Sequence, residues 1–188
     1  MVVKYGLIAE DKSDIEVVKI LARKVTGRAI SAAYFVGKGC GPIKRKAPGW
    51  CKDFAIKGCT QILLLHDRDR NDAAKLRTTL EAVLEQVPQE KKVVVIPTEE
   101  LEAWLLSDHK AIEQALKLRG AIAEEHHPEL IASPKEYLGG QVRKVSQKTV
   151  EYINSVHNPL IAEKIDVRSI SRKCPSFVPF ASFFKKKK

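Results

Sequence analysis

The chain has 188 residues, 44% of them hydrophobic and 30% charged, with a formal net charge of +10 at pH 7. That length supports one domain with a proper core, or a domain with a small appendage. No apolar run approaches the ~18 residues of a membrane span, and MVVKYGLIAE is too short, and reaches Glu10 too early, for a secretory signal. Cys40, Cys51, Cys59 and Cys174 form no Cys-x-x-Cys pair, which fits neither a zinc ribbon nor a disulfide scaffold. Reduced thiols in a cytoplasmic protein are expected.

Taken in order, VVKYGLIA (Val2 to Ala9) reads as a first strand ending at Glu10. Ser13 with Glu16 has the spacing of a capping box, and Ile15, Val18, Leu21 and Ala22 then make one apolar helix face, stopped near Gly27. AISAAYFV (Ala29 to Val36) predicts a second strand. Gly37 to Gly49 reads as a loop and Pro48 to Lys57 as a short helix. ILLLHDRDRND (Ile62 to Asp72) predicts a buried strand that breaks into Asp67, Asp69 and Asp72, followed by a helix to about Gln86. KVVVI (Lys92 to Ile96) predicts a fourth strand. A helix capped by Thr98 is expected over Glu99 to Leu106, and another over Lys110 to Leu118.

Strands alternating with helical segments point to an α/β fold with a mostly parallel sheet. After Gly120 no strand is expected. His126 to Pro134 reads as a loop, and Val142 to Val156 and Pro159 to Arg172 as helices. Phe177, Phe180, Phe183 and Phe184 fall at helical spacing, which predicts core packing rather than a ligand site. Trp104 likewise reads as a core anchor. The organisation expected is a core over 1–120 and a basic helical extension over 121–188.

Charge placement adds a partner. Residues 133–188 carry 12 Lys/Arg against 4 Asp/Glu, including Lys185 to Lys188, with Arg143 and Lys144 on one predicted helix. Between Gly37 and Gly58, Lys38, Lys44, Arg45, Lys46, Lys52 and Lys57 face only Asp53. Basic patches beside an acidic pocket suit an enzyme acting on a polyanion, so nucleic acid is the expected partner, held at Lys38, Lys44, Arg45, Lys46, Arg143 and Lys144. A merely solubilising charge is the bland reading.

The acids follow strands. Glu10 follows the first, Asp67 and Asp69 the third, and Glu99, Glu100 and Glu102 the fourth. Right-handed crossovers put the carboxyl ends of parallel strands on one edge, where open α/β sheets bind ligands. Asp14, four residues after Glu10, can face the same point. An oxygen-only cluster suits Mg2+ or Mn2+, with room for two ions; zinc would want more than the single His66. Helix capping is the competing role for the aspartates, and Asn71 or Asp72 alone could fill it.

LIAEDKSD and LLLHDRDRND together resemble the TOPRIM domain of topoisomerases, primases and OLD-type nucleases, with its Glu after the first strand and Asp-x-Asp after the third. Here Asp11 stands where many members have Gly, and Asp14 matches the second acid of OLD-type members. IPTEELEAWLLSD, SPKEYL and CPSFVPF are similar to a family of small standalone TOPRIM proteins, domain of unknown function 4276, associated with phage defence. The resemblance implies a Rossmann-like TOPRIM core with Glu10, Asp14, Asp67, Asp69 and Glu102 at the metal, and Glu99 and Glu100 as weaker matches. It also implies a late catalytic lysine, Lys135 or Lys148, beside Glu10 as ligand or proton carrier.

The function this implies is metal-dependent hydrolysis of DNA or RNA, as the effector of a defence or toxin-like system. The alternative is a quiet nucleic-acid-binding or regulatory subunit beside an ATPase partner, to which Asp11 lends weight. Self-assembly is left open. Nucleotidyl transfer lacks a Walker-type loop, and strand passage would need further domains.

Overall fold

The computed structural model describes residues 3–85, 88–89 and 91–185; Val2, Gln86 and the lysines at 186–188 lie outside them. Four strands, β1 (Lys4–Ala9), β2 (Ser31–Val36), β3 (Gln61–Leu65) and β4 (Lys91–Val95), form one sheet in the order β2-β1-β3-β4. Every pairing is parallel. β1 and β3 are central and flanked on both sides, which is why YGLIA and ILLL are uninterrupted apolar runs. β2 turns off one side of β1 and β3 pairs on the other, so the strand order reverses between β1 and β3. A crevice lined by Asp69, Glu99, Glu100 and Glu136 opens at that edge, beyond the strand ends, where open α/β sheets bind ligands.

Alternation along the strands feeds two cores. Leu7, Ala9, Leu63, Leu65 and Val95 face α1 (Lys12–Thr26) and the later helices. Ile8, Ile62, Leu64 and Val94 face α2 (Cys40–Ile56) and α3 (Ala73–Glu85). Gly6 is bare because a Cβ there would lie 2.5 Å from the Phe54 ring, which needs that space to reach β1.

After β4 the chain is helical: α4 (Glu102–Leu105), α5 (His109–Leu116), α6 (Pro134–Val145), α7 (Asn154–Lys164), α8 (Val167–Lys173) and α9 (Val178–Phe184). These helices thicken the α1 side: α7 packs on α1 and α5, and α9 on β4. Phe177, Phe180, Phe183 and Phe184 are all buried, and Phe177 and Phe180 hold the Trp104 ring edge-on. The Trp104 Nε1–H donates to Ser176 Oγ at 2.8 Å, so the phenylalanine stripe fixes α4 from beneath. No helix among the described residues is long and apolar enough to cross a membrane.

Several local expectations are corrected. The capping box of α1 is Asp11 with Asp14, not Ser13 with Glu16; Ser13 is buried against Asp11 and Glu16 pairs with Lys19. The Gly37 to Gly49 loop is largely α2, which runs through Pro48, because Ile43, Ala47, Cys51 and Phe54 at helical spacing bury against the sheet. The helix expected from Glu99 is one turn starting at Glu102, since Glu99 is left-handed with φ 59°. The helix expected over 142–156 is instead α6, ending where Gln147 and Lys148 turn left-handed, followed by α7. The 159–172 segment breaks at Ile165, and Asp166 caps α8.

Candidate metal centre

Glu10 leaves β1 and Asp67 follows β3, so the two flank the crevice where the strand order reverses. They touch directly: the Asp67 backbone N–H donates to Glu10 Oε2 at 3.3 Å. His66, 3% exposed, donates through Nδ1 to Asp67 O at 2.6 Å and lies 3.4 Å from the same Glu10 oxygen. Gly39, the N-cap of α2, lies beside Glu10 and has φ 96°, which glycine takes without a Cβ penalty.

Asp14 comes from the first turn of α1. Its Oδ2 accepts the Asp11 N–H at 3.1 Å while Asp11 Oδ1 accepts the amides of Ser13 and Asp14, which locks the helix start and the direction of Asp14 together. Asp72, not Asp67 or Asp69, caps α3 by accepting the Lys75 N–H. Asp67 and Asp69 are thereby left to face the crevice. Asp67 Oδ1 accepts the Leu101 N–H at 3.0 Å, drawing the turn before α4 onto the cluster.

Glu102, 4% exposed, arrives on α4 and is held from α7. Its Oε1 accepts Asn158 Nδ2–H at 3.0 Å, and the Tyr152 hydroxyl, 3.4 Å from that oxygen, donates its proton to Asn158 Oδ1. Sequence reasoning missed Asn158 and Tyr152. The only available signal was a polar residue on an apolar helix face, which says nothing about its partner.

Electrostatics links Glu10, Asp14 and Asp67, with the charges of Asp69 and Glu102 acting on them. Burial pushes the Asp67 carboxyl well above the usual range, and the charges of Asp14, Glu102, Glu10 and Asp69 push it further. Asp14 is pushed up to about 7 by burial and then by Asp11, Glu102 and Glu10. Glu10 and Glu102 are raised chiefly by burial; His66 opposes this at Glu10, and Asn158, Lys135 and Tyr152 oppose it at Glu102.

Of the candidate lysines, Lys135 is at the site. It stands in the first turn of α6, its N–H donates to Glu100 Oε2 at 2.8 Å, and its charge acts on Glu102. Lys148 lies in the exposed turn after α6, its N–H donating to Arg143 O. Lys38, Lys44, Arg45 and Lys46 are exposed at the start of α2, and the Lys38 N–H donates to Glu10 O at 2.9 Å. Arg143 and Lys144 are exposed at the far end of α6, roughly 12 Å along its axis from Lys135 at ~1.5 Å per residue. Glu100 borders the cluster, and Glu99 lines the crevice with Asp69 and Glu100 while it pairs with Arg68 and accepts the Arg70 N–H.

The donor set fits a hard divalent cation: carboxylate oxygens, buried at Glu102, half-buried at Glu10, Asp14 and Asp67 and exposed at Asp69, and mutually repulsive without a counter-ion. Protein hydrogen bonds engage one oxygen each of Glu10, Asp14, Asp67 and Glu102 among the described residues. No three acid, histidine or cysteine side chains among the described residues are already drawn to coordination distance of one point. Like charges held in common give them reason to stand apart.

Fold and site together define a parallel α/β protein with a carboxylate-lined crevice at the carboxyl edge of its sheet. The chain belongs to the family described as domain of unknown function DUF4276, whose model matches residues 9–184. No curated protein and no solved structure matches the chain.

Proposed function

We propose that the protein is a TOPRIM-type nuclease that hydrolyses phosphodiesters of DNA or RNA with Mg2+ or Mn2+. One observation carries this reading: four separate segments bring Glu10, Asp14, Asp67, Asp69 and Glu102 together, and the ionisation of Glu10, Asp14 and Asp67 is opposed by their carboxylate neighbours. Carboxylates so grouped, most of them at least half-buried, are poised for a cation, since a neutral core would not gather them. These five residues would hold one ion or a pair. When bound, Mg2+ or Mn2+ supplies Lewis-acid stabilisation of the negative charge that develops on a phosphodiester.

The chain's own groups do the rest. Glu10, raised by burial and contacted by His66, takes the proton of the attacking water. Lys135 offsets charge on the reacting phosphate. Lys38, Lys44, Arg45 and Lys46 hold neighbouring phosphates beside Glu10, and Arg143 and Lys144 hold the strand farther out, none reading sequence.

The test is incubation of the purified protein with Mn2+ and a panel of plasmid, single-stranded DNA and total tRNA, beside an Asp67→Ala control. Cleavage of one substrate class that chelation and Asp67→Ala both abolish is the expected result. Cleavage surviving both sinks the reading. The alternative, a quiet nucleic-acid-binding subunit beside an ATPase, draws on the Asp14 oxygen already engaged by the Asp11 amide. Calorimetry that detects no Mn2+ binding selects it.

A further inference from the structure

Asp69, Arg70 and Glu99 have left-handed backbones, with φ of 48°, 60° and 59°. That conformation costs a residue with a Cβ free energy that surrounding contacts must offset. Glu99 supplies the constraint. Its carbonyl accepts the Asp69 N–H at 3.0 Å, its Oε2 accepts the Arg70 N–H at 2.9 Å, and its Oε1 pairs with Arg68 Nη2 at 2.5 Å. Three successive residues of the DRDR turn therefore end on one side chain and its carbonyl, itself 8% exposed. Both carboxylate oxygens are thus engaged by the turn, at the wall of the crevice that Glu99 shares with Asp69 and Glu100.

We propose that Glu99 is a positioning residue that holds the Asp67–Arg70 turn left-handed and so sets the cation affinity of the cluster. The affinity half rests on the metal-centre reading above. A glutamate that only latched two surface arginines would leave affinity unchanged, and the backbone strain gives a way to separate the two roles. Glycine takes φ near 60° without a Cβ penalty, so Arg70→Gly makes the clamp dispensable at that residue. Arg70→Ala removes the same side chain, including its bond to Ser133 Oγ, without that relief.

Mn2+ calorimetry and amide hydrogen exchange on the full chain decide it. Glu99→Ala is expected to weaken Mn2+ binding by about 10- to 100-fold and to expose the Asp69 amide to exchange. Glu99→Gln, which keeps an acceptor for Arg70, loses less and carries the comparison if the alanine variant does not fold. Adding Arg70→Gly to Glu99→Ala restores affinity and Asp69 protection; adding Arg70→Ala does not. Unchanged affinity in Glu99→Ala, or equal recovery by both second substitutions, overturns the proposal. If the wild-type chain binds no Mn2+, the metal reading fails and takes the affinity half with it, while Asp69 exchange in the metal-free variants still decides whether Glu99 fixes the turn.

Discussion

The two turns that carry the acids solve the same problem differently. Between β1 and α1 only Glu10 and Asp11 intervene, and between β3 and α3 there are residues 66–72. Each turn spends its last aspartate on the helix: Asp11 accepts the amides of Ser13 and Asp14, and Asp72 accepts that of Lys75. In the short turn the helix itself then aims Asp14, with no left-handed residue. In the long turn Asp69 and Arg70 are left-handed, costing roughly 1–3 kcal/mol each, and their geometry depends on Glu99 from another strand connection. An acid near a helix start inherits its direction locally, whereas an acid in a longer loop takes it from tertiary contacts.

The largest expected effect lies in the long turn. Asp67→Asn should abolish Mn2+-dependent cleavage, yet raise the metal-free melting stability by on the order of 1–3 kcal/mol, because it removes a buried charge among like charges. A melt in chelator that shows loss of stability would break the account of a repulsive cluster. Asn158→Ala should cost about 1–3 kcal/mol by leaving Glu102 buried with a lost donor, and should weaken Mn2+ binding by about 10-fold or more. Stability melts and calorimetry on one sample check both.

A pH series sharpens the role of the short turn. Asp14 is raised from its ordinary 3.8 to about 7 in the folded chain. The folded state then binds more protons than the unfolded one between those values. Metal-free stability should fall as pH rises from about 4 to 7, by on the order of 1–3 kcal/mol. Saturating Mn2+ should flatten that slope, and Asp14→Asn should reduce it without metal; melts across pH read all three.

The smallest effects separate the caps. Asp72→Ala should cost about 1 kcal/mol of stability and leave Mn2+ affinity unchanged, while Asp11→Ala should cost about the same and also shift affinity through Asp14. Equal affinity in both variants would mean that Asp11 does not direct Asp14.

Periodicity and punctuation in the chain were enough for the α/β class, the strand cores and the buried fate of Trp104 and the phenylalanines, because burying apolar side chains is the same demand wherever they land. Acids after successive strands were legible for the same reason: parallel strands send their carboxyl ends to one edge. Pro48 misled because glycine and proline propensity is worth less than burying Ile43, Ala47, Cys51 and Phe54. What only the tertiary structure decided is which groups serve the acids. Asn158 meets Glu102 across 56 residues, the Lys135 charge acts on Glu102, and Glu99 holds the turn at Asp69 and Arg70. Hydrogen-bond partners distant in sequence obey no spacing rule, so they are fixed by how α6 and α7 pack and leave no trace in the order of residues.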